Sequence, residues 1–128
     1  MKVVLIALNG KFVHTNLAVR YLKKYTEGMN YECVIKEYSI NDHLDRILES
    51  VIKEKPQVVG FSCYIWNIEM TVKLAQLIKR VDGGIEILYG GPEVSYGSME
   101  FLSQNEGEYL IEGEGEEAYR EFIQYKLG

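Results

Sequence analysis

Cysteine, proline and histidine are scarce, with two of each in 128 residues. Cys33 and Cys63 lie far apart, so no cysteine pair or triplet has metal-ligand spacing. Two separated thiols suit a reducing, cytoplasmic setting better than a disulfide scaffold. No run of about eighteen apolar residues occurs, which excludes a membrane-spanning helix. The opening MKVVLIALNG carries one lysine and no small-residue cleavage site, so it reads as a first strand rather than a secretion signal. Positive charge is in deficit: 14 Lys and Arg stand against 19 Asp and Glu, for a net charge of −5. No basic cluster interleaves with aromatics, which argues against a nucleic-acid partner. The phosphate-cradling pattern G-x-x-x-x-G-K-[ST] is absent. Internal repeats, linkers and low-complexity segments are absent as well.

What the chain has in quantity is apolar sequence whose period keeps switching. KVVLIAL (2–8) is a continuous β-branched run, the mark of a strand buried on both faces. Leu17, Ala18, Tyr21, Leu22 and Tyr25 then recur at helical spacing, with Thr15 or Asn16 as the cap and Gly28 as the end. YECVIKEY (31–38) alternates and reads as an outer strand. Asn41 or Asp42 is expected to cap a second helix facing inward through Leu44, Ile47, Leu48, Val51 and Ile52 and stopped by Pro56. QVVGFSC (57–63) is another buried strand. A third helix over 67–81 is expected to face inward through Ile68, Val72, Ala75, Ile78 and Val81. IEILYGG (85–91) is a fourth strand, followed by a short helix near 98–103 with Met99 and Leu102 turned in. EYLIEG (108–113) is a fifth strand, and the last helix carries Ala118, Tyr119, Phe122 and Ile123.

Five strand–helix alternations with short connections predict a three-layer α/β domain: a parallel sheet with helices on both faces. The second strand is the most polar and suits an edge. The expected order is therefore 2-1-3-4-5, the flavodoxin-like, Rossmann-like arrangement. All of 1–128 reads as one domain, and an end on a helix points to a domain of a longer protein.

In such sheets ligands sit outside the carboxyl ends of the strands. Those ends read NGKFVHTN (9–16), SCYIWN (62–67), GGPEVSYG (90–97) and GEGEE (113–117). They gather glycines, small hydroxyls, the single Trp66 and His14, a composition suited to a large, partly apolar ligand. Each feature also has a plainer reading: a turn for Gly90-Gly91, a helix-capping histidine for His14, a satisfied strand end for Ser62. Cys63 has no sign of reactivity. Gly113-Glu-Gly115-Glu-Glu-Ala118 formally matches G-x-G-x-x-A. Its three glutamates crowd the helix start that a pyrophosphate needs, and the chain ends before the acidic ribose partner falls due. A phosphorelay receiver would need acidic residues where Asn9 and Ser62 stand.

Taken as an ordered set, these ends resemble the cobalamin-binding domain of cobalamin-dependent radical SAM proteins. That family includes anaerobic Mg-protoporphyrin IX monomethyl ester cyclase-like proteins. The family's D-x-H-x-x-G corresponds to Phe12-Val13-His14-Thr15-Asn16-Leu17, its S-x-L to Ser62-Cys63-Tyr64, and its G-G to Gly90-Gly91, at spacings near those of the family. NGKFVHTNLAVRYL, GFSCYIWNIE, GGPEVS and GEGEE carry the likeness over essentially the whole chain.

The resemblance implies cobalamin held base-off, its dimethylbenzimidazole tail threaded into the domain. The implied contacts are Asn9, Phe12, His14, Thr15, Ser62, Tyr64, Trp66, Gly90, Gly91, Pro92, Glu93, Gly113 and Gly115. His14 is the implied lower cobalt ligand. Phe12 stands where the family has the aspartate that orients this histidine, and Leu17 where it has glycine. That favours a lower face with water or no ligand over His14 coordination. The implied partner is a C-terminal radical SAM domain of the same protein. C-x-x-x-C-x-x-C does not occur here, so the iron–sulfur cluster and SAM belong to the parent protein, whose methyl transfer or related radical step this domain would serve without itself being catalytic. Two alternatives remain: a vestigial, cofactor-free interaction domain of such an enzyme, and a free-standing nucleotide-binding domain.

Overall fold

The computed structural model describes residues 1–10, 16–95 and 97–128. In chain order it contains β1 (Lys2–Asn9), α1 (Leu17–Tyr25), β2 (Glu32–Ser39), α2 (Leu44–Lys53), β3 (Val58–Ser62), α3 (Ile68–Val81) and β4 (Glu86–Gly90). A 3₁₀ turn (Pro92–Val94), α4 (Ser98–Gln104), β5 (Tyr109–Leu110) and α5 (Gly115–Leu127) complete it. All four strand pairings are parallel and the order is β2-β1-β3-β4-β5, as the polarity of the second strand predicts. β5 is shorter than expected. Only Tyr109 and Leu110 pair in the ladder, although the Ile111 amide still donates to the Tyr89 carbonyl at 2.8 Å. Among the described residues no helix is long and apolar enough to cross a membrane.

Strand alternation sorts the apolar residues into two cores. Val4, Ile6, Leu8, Val59, Phe61, Ile87 and Tyr89 pack under α2, α3 and α4. Val3, Leu5, Ala7, Val58 and Leu88 face α1 and α5, meeting Val19, Tyr119 and Ile123. Buried hydroxyls are tied into this second core. Thr26 bonds the Leu22 and Lys23 carbonyls and shares a 2.6 Å hydrogen bond with Tyr31, whose hydroxyl lies 3.0 Å from that of Tyr119.

Four expectations are corrected. α1 does not face inward through Leu17, Ala18, Tyr21 and Tyr25, which are exposed; it uses Val19, Leu22 and Thr26. The aromatic stripe and the inward stripe overlap on this helix, and the inward one contains a threonine that apolar periodicity passes over. In α3, Val81 is 56% exposed at the last turn, whereas Thr71 and Leu74 are buried. Met99 is 86% exposed, and Phe101 takes its place beside Leu102, edge-on to Tyr89 with centroids 4.9 Å apart. Seven residues of α4 are too few for periodicity to fix a phase. Finally, neither Asn41 nor Asp42 caps α2. The N-cap is His43, without a side-chain bond, and the Asp42 carboxylate accepts instead from the Ser39 amide. At α1, Asn16 is the cap, accepting from the Val19 amide at 3.3 Å.

Candidate functional site

At the carboxyl end of the sheet, on the α1/α5 face, a cleft of about 450 Å³ opens. That volume lies in the range of about 300–1,000 Å³ common for small-ligand sites. Strand register builds its floor. Leu5, Gly60 and Leu88 pair across β1, β3 and β4 in one row, and Ala7, Ser62 and Gly90 form the next row toward the rim. Ala7, Ser62 and Gly90 leave the rim row nearly bare where the other face carries Phe61 and Tyr89, and in the inner row the Leu5 side chain lies over Gly60. Val19 and Leu22 of α1 form one wall, and Ile111 with the Gly113–Glu116 turn into α5 forms another.

The two glycines at the tip of β4 are bare for different reasons. A Cβ on Gly90 would meet only Ile111, Cβ to Cβ, at 4.0 Å, so its bareness keeps the cleft open. Gly91 has φ +103°, and a Cβ there would fall 2.5 Å from the Cys63 carbonyl oxygen and 2.7 Å from its amide nitrogen. The protein's own backbone demands that glycine. The two loops are knitted at this point: the Cys63 amide donates to the Gly90 carbonyl at 2.7 Å and the Glu93 amide to the Cys63 carbonyl at 3.2 Å.

Of the residues singled out in the sequence, Ser62, Tyr64, Gly90 and Gly91 line the cleft, as do Pro92, Gly113 and Gly115. Asn9 is buried at the end of β1 and does not line it. Glu93 is exposed beyond the rim. Trp66, 48% exposed, stacks flat on Tyr64 with ring centroids 4.5 Å apart, so the pair makes an aromatic shelf beside the opening. Phe12, His14 and Thr15 lie outside the described residues. Among the described residues no cluster of three or more His, Cys, Asp or Glu has the arrangement of a metal site. Ser62 is largely buried, and its hydroxyl makes no hydrogen bond to another described residue, which leaves it available to the cleft. Burial pushes the Cys63 thiol up to about 12, so it is inert as a nucleophile.

Two residues escaped the sequence reading. Asn67, only 1% exposed, clamps the site from beneath. Its amide group donates to the Leu8 carbonyl at 3.0 Å and the Ser62 carbonyl at 3.1 Å, while its oxygen accepts from the Tyr64 amide at 2.9 Å. Ser95 joins two loops, donating to the Gly91 carbonyl at 2.9 Å and accepting from the Gly113 amide at 3.2 Å. The bonds from Asn67 to Leu8 and from the Gly113 amide to Ser95 join distant segments, and nothing in composition or spacing announces them. The floor was more accessible: counting alternate residues from Gly60 places Ser62 on the same face.

Residues 3–123 match the B12-binding domain family, and the chain belongs to it. It is a cobalamin-binding domain like those of radical SAM methyltransferases. Over 73 residues it is 36% identical to 2-(S-pantetheinyl)-carbapenam-3-carboxylate methyltransferase of Streptantibioticus cattleyicolor, covering 56% of this chain and 11% of that protein. Over 74 residues it is 34% identical to the cobalamin-dependent radical SAM methyltransferase TokK of Streptomyces tokunonensis, covering 57% and 11%. The chain thus matches about a tenth of the length of these curated relatives. Among solved structures, the radical SAM enzyme OxsB with aqua-cobalamin and S-adenosylmethionine bound superimposes with a TM-score of 0.78 at 16% identity, over 98% of this chain and 18% of that one. The methyltransferase TsrM from Kitasatospora setae gives 0.77 at 19% identity, over 96% and 25%. These likenesses share the fold.

Proposed function

We propose that this domain binds cobalamin base-off, with the nucleotide tail in the cleft between the sheet and α1/α5 and the corrin on the loops around its mouth. The observation that carries the reading is the bare floor. Ser62 and Gly90 lie on one face of adjoining strands, where a larger side chain at Gly90 would enter the cleft, and Gly60 behind them is covered by the Leu5 side chain. The residues present fit the group: apolar walls for an aromatic base, the Ser62 hydroxyl on the floor, and an aromatic shelf of Tyr64 and Trp66 at the rim. Asn67 and Ser95 hold those loops in place from behind. Cobalamin supplies one-carbon or radical chemistry, and the domain's share is binding and orientation. Phe12, at the place of the family's orienting aspartate, supports a cobalt lower face that His14 does not ligate.

In a longer protein the domain would be the cofactor-holding module for a C-terminal radical SAM domain, which would contribute the iron–sulfur cluster and SAM. The support is the description of the relatives, which are methyltransferases. The test is spectroscopic. Methylcobalamin titrated with the chain is expected to co-elute with it and to change from its base-on to its base-off visible spectrum. Co-elution with the base-on spectrum kept both by the chain and by its His14→Ala variant would refute tail insertion. No co-elution would favour a cofactor-free interaction domain.

A further inference from the structure

The cleft is graded in polarity along its depth. Its inner row, Leu5–Gly60–Leu88, is wholly apolar, and Leu22 and Ile111 flank it. The one side-chain hydroxyl on the floor is that of Ser62, in the row nearer the rim, with no hydrogen bond to another of the described residues. Ser95 has already spent its hydroxyl on the Gly91 carbonyl and the Gly113 amide. The backbone of β3 and β4 is committed to the ladder, and the Gly90 carbonyl to the Cys63 amide. Among the described residues, charge enters the lining through Glu114 and Glu116, at the start of α5. Against its inner row a buried ring meets apolar side chains; polar partners come from Ser62 and from the turn into α5, where the first-turn amides and Glu114 and Glu116 lie.

We propose that the apolar inner row of this cleft, with Ser62 in the row beyond it, makes the domain selective for the tail base of its corrinoid. It takes apolar benzimidazole or phenolic bases and rejects purines. This rests on the tail-in-cleft reading above. An adenine carries an exocyclic amine and several ring nitrogens. Those set against the Leu5–Gly60–Leu88 row would lose water without gaining a partner, and each unmet polar group weakens binding. Dimethylbenzimidazole, once off the metal, has one free ring nitrogen, and a cresol tail has none. The same asymmetry lets sites reject an isostere that differs only in polar atoms.

The experiment is equilibrium dialysis of the chain against four corrinoids: cobalamin, its cresolyl and adeninyl analogues, and tail-less cobinamide. Reducing conditions that hold cobalt at +1 keep every tail off the metal, so differences in the strength of base coordination do not enter. Cobalamin and the cresolyl analogue are expected to bind within a few-fold of each other. The adeninyl analogue is expected to bind at least about tenfold more weakly, which corresponds to about 1.4 kcal/mol. Equal binding of the adeninyl analogue and cobalamin, both above cobinamide, would overturn the selectivity and leave tail insertion standing. Cobinamide binding as well as cobalamin, or no binding by any of the four, would remove the tail-in-cleft reading itself.

Discussion

Replacing Gly90 with leucine separates the cleft's role from the fold's. Position 90 has no positive φ, and a Cβ there makes one ordinary contact, 4.0 Å from Ile111. A side chain at this point therefore enters the cleft without forcing the backbone. Gly within a strand is less stable than Ala by roughly 0.5–1 kcal/mol, so the folded state should lose little or gain slightly. The ligand loses what the leucine occupies. At about 0.8 kcal/mol per buried carbon, its side chain displaces roughly 3 kcal/mol of apolar contact. That is about a hundredfold in Kd. The assay pairs thermal melting of the free chain with a methylcobalamin titration followed in the visible spectrum. Gly91→Ala is the companion. With φ +103° and a Cβ 2.5 Å from the Cys63 oxygen, it is expected to lower Tm before any corrinoid is added. The backbone conformation alone costs about 1–3 kcal/mol. A Gly90→Leu chain that keeps both its Tm and its full affinity would show that the cleft is not where the tail goes.

Asn67→Ala removes three hydrogen bonds and strands the Leu8 and Ser62 carbonyls. A loss of about 2–4 kcal/mol is expected, a fall in Tm of roughly 10 °C, read by calorimetry; an unchanged Tm would mean the clamp is idle. Cys63, its thiol pushed up to about 12 by burial, should resist a thiol reagent at pH 8 in the native chain and react only on unfolding; mass-mapped labelling checks this. The Lys126 ammonium bonded to Glu86 holds that carboxyl below its ordinary value of 4.5. A depressed folded value means the stabilisation is present above 4.5 and disappears as pH falls through the folded value. Urea midpoints should therefore drop on acidification by the equivalent of about 0.5–1 kcal/mol, and Glu86→Gln should flatten that part of the decline. His14→Ala should leave the visible spectrum of the bound corrinoid unchanged; a shift would assign His14 as the lower ligand.

The sequence by itself determined the alternation of strands and helices, the edge position of the polar Glu32–Ser39 strand and the end of the sheet at which to look. These follow from short-range periodicity and polarity, which a chain carries in its own order. It also pointed to loops that line the cleft, since small residues at several strand tips are visible in one dimension. Tertiary structure decided the rest. Leu17–Tyr21–Tyr25 and Val19–Leu22–Thr26 were rival faces of one helix, and only contact with Tyr31 and the sheet turned the second inward. Gly90 and Gly91 are identical letters side by side. One is bare to keep a cleft open and the other because the Cys63 backbone lies against it, a difference set by atoms more than twenty residues away in sequence. Asn67 and Ser95 act through carbonyls and amides of other loops. Contacts between distant segments depend on how the layers close, so no local pattern could announce them.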